Sequence, residues 1–154
     1  MKITVANPDQ IDKIYQIENS SFTDPWSYKS FEEAIFSPNT TIYVVNSSSG
    51  DVLGFSCLLI IDYEAEILNI AVDGNYRKQG IGRLLAEHMI NICISKEVED
   101  IFLEVRDSNT AARGLYEKVG FKQIGRRKNY YSNPTEDAIM MKLSLQNDSL
   151  NNKD

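Results

Sequence analysis

A mixed α/β fold is what this sequence predicts, and three features predict it. Runs rich in β-branched residues follow one another at residues 41–46, 52–61 and 66–72, so a meander of strands comes before the long helical pattern of the middle. In that pattern Ile81, Leu84, Leu85, His88, Met89 and Ile92 recur at helical spacing. A strand at residues 101–105, a helix at 110–119 and two further strands at 121–131 and 137–143 then close the chain.

Each element has its own local reason. Residues 2–5 alternate as a first strand does, and Asn7-Pro8 marks a helix start: Asn7 as cap, Pro8 at the first helical position, Gln10 three residues past the cap. Ile11, Ile14, Tyr15 and Glu18 share a face of that helix. Phe22-Thr23-Asp24-Pro25-Trp26 interrupts it, and Ser27 caps a short second helix through Phe36, with Phe31 and Ile35 on one side. Ser47-Ser48-Ser49-Gly50-Asp51 reads as a loose hairpin turn and Asp62-Tyr63-Glu64-Ala65 as the next turn. Asn109 is placed to cap the helix of residues 110–119, and Gly120 to end it in the left-handed region. Residues 1–143 are expected to form one domain, and residues 144–154 a polar, frayed tail.

Composition narrows the function. A chain of 154 residues suits one domain that buries about two-thirds of its unfolded surface without staples. No apolar run approaches the roughly 20 residues of a membrane span, and the start MKITVANPDQ lacks a signal peptide's apolar core, so the expected location is cytoplasmic. Cys57 and Cys93 have no metal-ligand spacing and read as buried small hydrophobes; neither a metal site nor a disulfide framework is expected. A net charge of -6 argues against broad binding to a nucleic-acid backbone. It permits a cationic partner, although mild acidity also serves solubility alone.

The junction from Glu66 to Ala86 is the most informative stretch. A strand leads through Arg77, Lys78, Gln79 and Gly80-Ile81-Gly82 into a helix N-terminus, where unpaired N–H groups and a partial positive charge suit a phosphate. A P-loop needs Gly-Lys-Ser/Thr, but Arg83-Leu84 follows Gly82. A dinucleotide fingerprint needs a third glycine where Leu85 stands and a first glycine directly after the strand, so it survives only as a rival. Arg77-x-x-Gly80-x-Gly82 resembles the acetyl-coenzyme A signature of the GNAT superfamily of N-acetyltransferases. On these residues alone, a glycine loop that merely turns the chain is the competing reading.

Glu104 and Tyr116 are the candidate acid–base pair. Ile101, Leu103 and Val105 point to one face of their strand, Phe102 and Glu104 to the other. A carboxylate on a central strand is costly unless it faces a cleft or has a partner, and Arg106 or Arg113 is near enough in sequence to be that partner. Tyr116 alone reads as a half-buried helix aromatic; with Glu104 and a cap at Asn109 it places a base and a weak acid around one strand-to-helix mouth. His88, the sole histidine, lies in an apolar stripe and reads as core.

Several segments then tighten the resemblance: residues 103–109 (LEVRDSN), 115–121 (LYEKVGF), 126–131 (RRKNYY) and 136–141 (EDAIMM), with Asn69-Ile70-Ala71-Val72 before the glycine loop. In that order they resemble the signatures of ribosomal-protein-alanine N-acetyltransferases, the RimI type. The resemblance implies a GNAT fold, with a central, mostly antiparallel sheet splayed at the cofactor site and helices on both faces. It implies Glu104 as proton acceptor and Tyr116 as proton donor. It also implies acetyl-coenzyme A contacts from Ile70, Ala71 and Val72, from the loop Arg77, Lys78, Gln79, Gly80, Ile81 and Gly82, and from Asn109. The implied substrate is the N-terminal segment of a ribosomal protein.

Phe22, Trp26, Tyr130 and Tyr131 are aromatic candidates to flank that peptide; the other reading for each is packing. Arg126-Arg127-Lys128 reads as a solvated turn.

Overall fold

The computed structural model describes residues 1–145. Its strands are β1 (Lys2–Val5), β2 (Thr40–Asn46), β3 (Val52–Ile61), β4 (Glu64–Val72), β5 (Asp100–Arg106), β6 (Lys122–Tyr131) and β7 (Glu136–Ser144), forming one sheet in the order β1-β2-β3-β4-β5-β7-β6. The helices are α1 (Ile11–Ser21), α2 (Tyr28–Phe36), α3 (Ile81–Ser95) and α4 (Thr110–Lys118). One of the six strand pairs, β4 with β5, is parallel, and α3 makes the crossover that such a pair requires. The dinucleotide reading needs a largely parallel, doubly wound sheet, so this topology removes it.

Local capping sets the helix starts. Asn7 and Gln10 form the reciprocal box, closing a 3₁₀ turn (Pro8–Gln10) that leads into α1. Ser27 Oγ accepts the Ser30 N–H at 3.1 Å, and Asn109 Oδ1 accepts the Ala112 N–H at 3.1 Å. β4 begins at Glu64, two residues earlier than the expected 66, because Asp62-Tyr63 alone suffices as the turn; Asp62 adopts φ 53, which aspartate tolerates. α4 ends at Lys118, one residue short of the expectation, and Gly120 follows it at φ 113. β7 takes in Ser144; beyond Leu145 the expected tail lies outside the described residues.

Alternation along β2 explains the two cores. Ile42 and Val44 join Phe55, Cys57 and Ala71 under α1 and α2, where Ile14 and Phe31 are fully buried. Tyr43 and Val45 face the other way, with Ile67, Leu103 and Ile139, under α3 and α4. Each buried Leu, Ile or Phe contributes roughly 1.5–3 kcal/mol, so both layers are needed to hold the sheet. Both cysteines are free and buried, as expected.

At the centre the sheet opens. Parallel pairing covers only Glu64↔Asp100, Ala65↔Ile101 and Glu66↔Phe102. From Ile67 onward β4 stays paired with β3, ending at Val72↔Gly54, but no longer with β5. The β3–β4 register also shifts between Cys57 and Leu58, leaving Leu68 as an extra residue at the point of separation.

Candidate active site

The opening between β4 and β5 becomes a cavity of about 180 Å³. Ile70 and Asn69 line it from β4, Glu104 from β5, Asn109 and Tyr116 from the start and body of α4. Phe22 and Trp26 close it from the α1–α2 loop, and Tyr131 from the end of β6. The sequence-predicted acid–base pair and three of the four aromatic candidates therefore meet around one space. Trp26 serves both readings, because its ring also lies 5.3 Å from that of Phe31.

Tyr116 is buried, and burial pushes its phenol well above the usual value, with Tyr131 adding to the effect. It therefore keeps its proton at neutral pH. Tyr131, raised to about 12 chiefly by burial and next by the Glu104 charge, does the same. Glu104 is held by neither Arg106 nor Arg113. Arg106 binds Glu136 at 3.0 Å and lies over the Tyr131 ring at 4.6 Å, while Arg113 binds Asp107 at 3.0 Å. The partner is Arg127, whose Nε is 3.2 Å from Glu104 Oε1. Residues 126–128 lie in the expected strand rather than in a solvated turn, and Arg126 pairs with both Asp107 and Asp137. Tyr130 stands apart from the cavity wall, its phenol raised first by hydrogen bonding to the Glu104 carboxylate.

Two residues escaped sequence reasoning. Glu18, 1 % exposed, accepts the Trp26 N–H at 2.9 Å and lies within 3.2 Å of Asn69 Nδ2 through both oxygens. Desolvation raises its pKa, against the lowering effect of those donors. Arg106 ties Ser132 O at 2.6 Å and Pro134 O at 3.0 Å, while Asp24 accepts from Ser132 and Asn133, so the α1–α2 loop and the β6–β7 turn meet over the cavity. The sequence signal was the unusual placement of a carboxylate, Glu18, on an otherwise apolar helix face.

The glycine loop stands beside the cavity rather than in it. Gly80 precedes α3 at φ 83, where only glycine is free of strain, and offers no side-chain cap to the first turn. The first-turn amides of a helix have no partner within the helix, and the β4 edge has lost β5, so both leave N–H groups open to a ligand. Gly82 and Ile81 start the helix itself, Ile81 with its side chain buried. Arg77 turns back instead, its Nε donating to Val72 O at 3.3 Å and its guanidinium to Ser21 Oγ at 3.2 Å. Among the described residues no His/Cys/Asp/Glu group is arranged to hold a metal ion, and no helix is long and apolar enough to cross a membrane.

The sheet is thus parted beside a helix start that has no side-chain cap, and a carboxylate and a phenol line the gap. The acetyltransferase (GNAT) family pattern matches residues 11–121, and the chain belongs to that family. It is an N-acetyltransferase. The chain is 38 % identical over 133 residues to the ribosomal protein bS18-alanine N-acetyltransferase of Escherichia coli, a match spanning 85 % of this chain and 88 % of that one. A crystal structure of the same-named Escherichia coli enzyme superposes with a TM-score of 0.86 at 34 % identity, covering 94 % and 93 % of the two chains. The NatC complex bound to Gag peptide and CoA contains a chain that superposes at 0.79 with 26 % identity, covering 94 % and 99 %.

Proposed function

We propose that this chain acetylates the N-terminal α-amine of a ribosomal protein, with alanine as the acceptor residue. The observation that carries the reading is the single cavity shared by Glu104 and Tyr116 at the parted edge of β4. Relatives named for this reaction match most of the chain, which supports the substrate class. A ribosomal substrate places the enzyme in the cytoplasm.

An α-amine has a pKa of about 7.7–8.0 and is largely protonated near neutrality, so it cannot attack until a proton leaves. Glu104 accepts that proton, directly or through a water. Acetyl-coenzyme A supplies an activated acyl thioester, held by the amides of Ile70, Ala71 and Val72 and, at its phosphates, by Gln79, Gly80, Ile81 and Gly82, with Lys78 and Arg77 adjacent and Asn109 alongside. As the C–N bond forms and the C–S bond breaks, Tyr116 donates its retained proton to the departing sulfur. Phe22, Trp26 and Tyr131 flank the peptide, with Tyr130 next to the base.

Thiol release from acetyl-coenzyme A tests this with two peptides of one sequence, an alanine N-terminus either free or blocked, each carrying an internal lysine. Only the free form should react, and Glu104→Gln should lower its turnover about 10²–10⁴-fold while acetyl-coenzyme A binding stays intact. Equal reaction of the blocked peptide would assign the chemistry to lysine, and unchanged turnover in Glu104→Gln would remove the base.

A further inference from the structure

β6 leaves register with β7 between Arg127 and Tyr131: Arg127 pairs with Ala138 and Tyr131 with Glu136, so residues 128–130 stand against Asp137 alone. Asn129 turns this bulge at φ 53, and its N–H is held by Asp137 Oδ1 at 2.9 Å. The bulge brings Arg127 and Tyr130 together, the guanidinium 5.8 Å from the Tyr130 ring, and both meet Glu104. From β4, Glu66 lines one hollow with Glu104 and Arg127, and its carboxyl is raised by desolvation and then by the Glu104 charge, and lowered by Arg127. Two carboxylates thus share one side of the sheet, and among the described residues Arg127 is the cation within ion-pair distance of Glu104.

We infer that Arg127 is a positioning residue for acetyl transfer: its Nε contact keeps the Glu104 carboxylate at the cavity and away from Glu66. The inference rests on Glu104 being the base. Arg127 is about half exposed (53 %), and an exposed ion pair adds about 0–1 kcal/mol to stability, so removing it leaves the fold nearly unchanged. Its effect belongs to the site. Repulsion between Glu66 and Glu104 would otherwise turn the base outward, since like charges in a partly desolvated place separate where a side chain is free to move.

A double-mutant cycle tests this, read as kcat and KM with the free-N-terminus peptide. Arg127→Ala and Arg127→Gln should each lower kcat about ten- to hundredfold, the scale of a misplaced catalytic group, with KM for acetyl-coenzyme A unchanged and melting temperature nearly so. Arg127→Lys should recover part of the loss. In a Glu104→Gln background, Arg127→Ala should lower kcat no further. Full kcat in both Arg127→Ala and Arg127→Gln, or an equal loss with and without Glu104, overturns the inference while the base assignment stands. Full kcat in Glu104→Gln overturns the base assignment and this inference together.

Discussion

Enclosing a carboxylate among neutral groups disfavours its charged form, and Glu18 shows the effect at the scale of one residue. Two neutral donors, the Trp26 amide and the Asn69 side chain, hold it where the aromatic loop meets β4. Because burial dominates and lifts its pKa above the ordinary 4.5, the folded chain binds this proton more tightly than the unfolded chain does. Its contribution to stability is therefore complete below 4.5 and is lost as pH rises through the elevated folded value. Glu18→Gln keeps an acceptor for Trp26 but cannot ionise. Melting temperatures of parent and variant, measured from pH 4 upward, should diverge in the variant's favour as pH rises; a constant difference would show that folding leaves the Glu18 pKa unchanged. Helix periodicity marks where Glu18 points, but its partner Asn69 lies 51 residues away, so the sequence showed the carboxylate and concealed what holds it.

Among the elements, β3, β4 and α3 approach one another closely at Gly54. A Cβ there would stand 3.0 Å from Ala71 O, 3.2 Å from Ile81 Cγ2 and 3.4 Å from the Val72 Cα. Two of those neighbours are backbone, which cannot swing aside. Gly54→Ala should therefore destabilise the fold by about 1–3 kcal/mol, the range of an overpacked core, and weaken acetyl-coenzyme A binding by displacing the released edge of β4. Urea denaturation and a binding titration read the two effects separately, and an unperturbed variant would mean that α3 yields freely. At this scale much was legible: the caps at Asn7, Ser27 and Asn109 each depend on residues within three positions. The β6 bulge was not. Tyr130 joins Arg127 beside Glu104 where β6 has surplus residues against Asp137 of β7, a mismatch visible only when two distant strands are laid side by side.

For the whole molecule, the two cores and the one parallel seam decide how the chain responds to its cosubstrate. Anything that binds the folded form alone stabilises it by RT ln(1 + [L]/Kd), about 2.7 kcal/mol at a hundredfold excess over Kd. Acetyl-coenzyme A should raise the melting temperature by several degrees at that concentration, and NAD should leave it in place, in keeping with a sheet that is not doubly wound. A shift with NAD alone would contradict the assignment of the glycine loop. The seam has a second consequence. β4 and β5 are joined over three residue pairs, and the core under α3 and α4 spans the seam between them. Strands β1 to β4 with α3 carry the proposed nucleotide seat, while β5, β6 and β7 carry the proposed base, the arginine paired with it and one proposed wall of the acceptor groove. The proposed donor seat and the proposed acceptor wall thus stand on opposite sides of the parting, so a side chain exchanged at one rim touches none at the other.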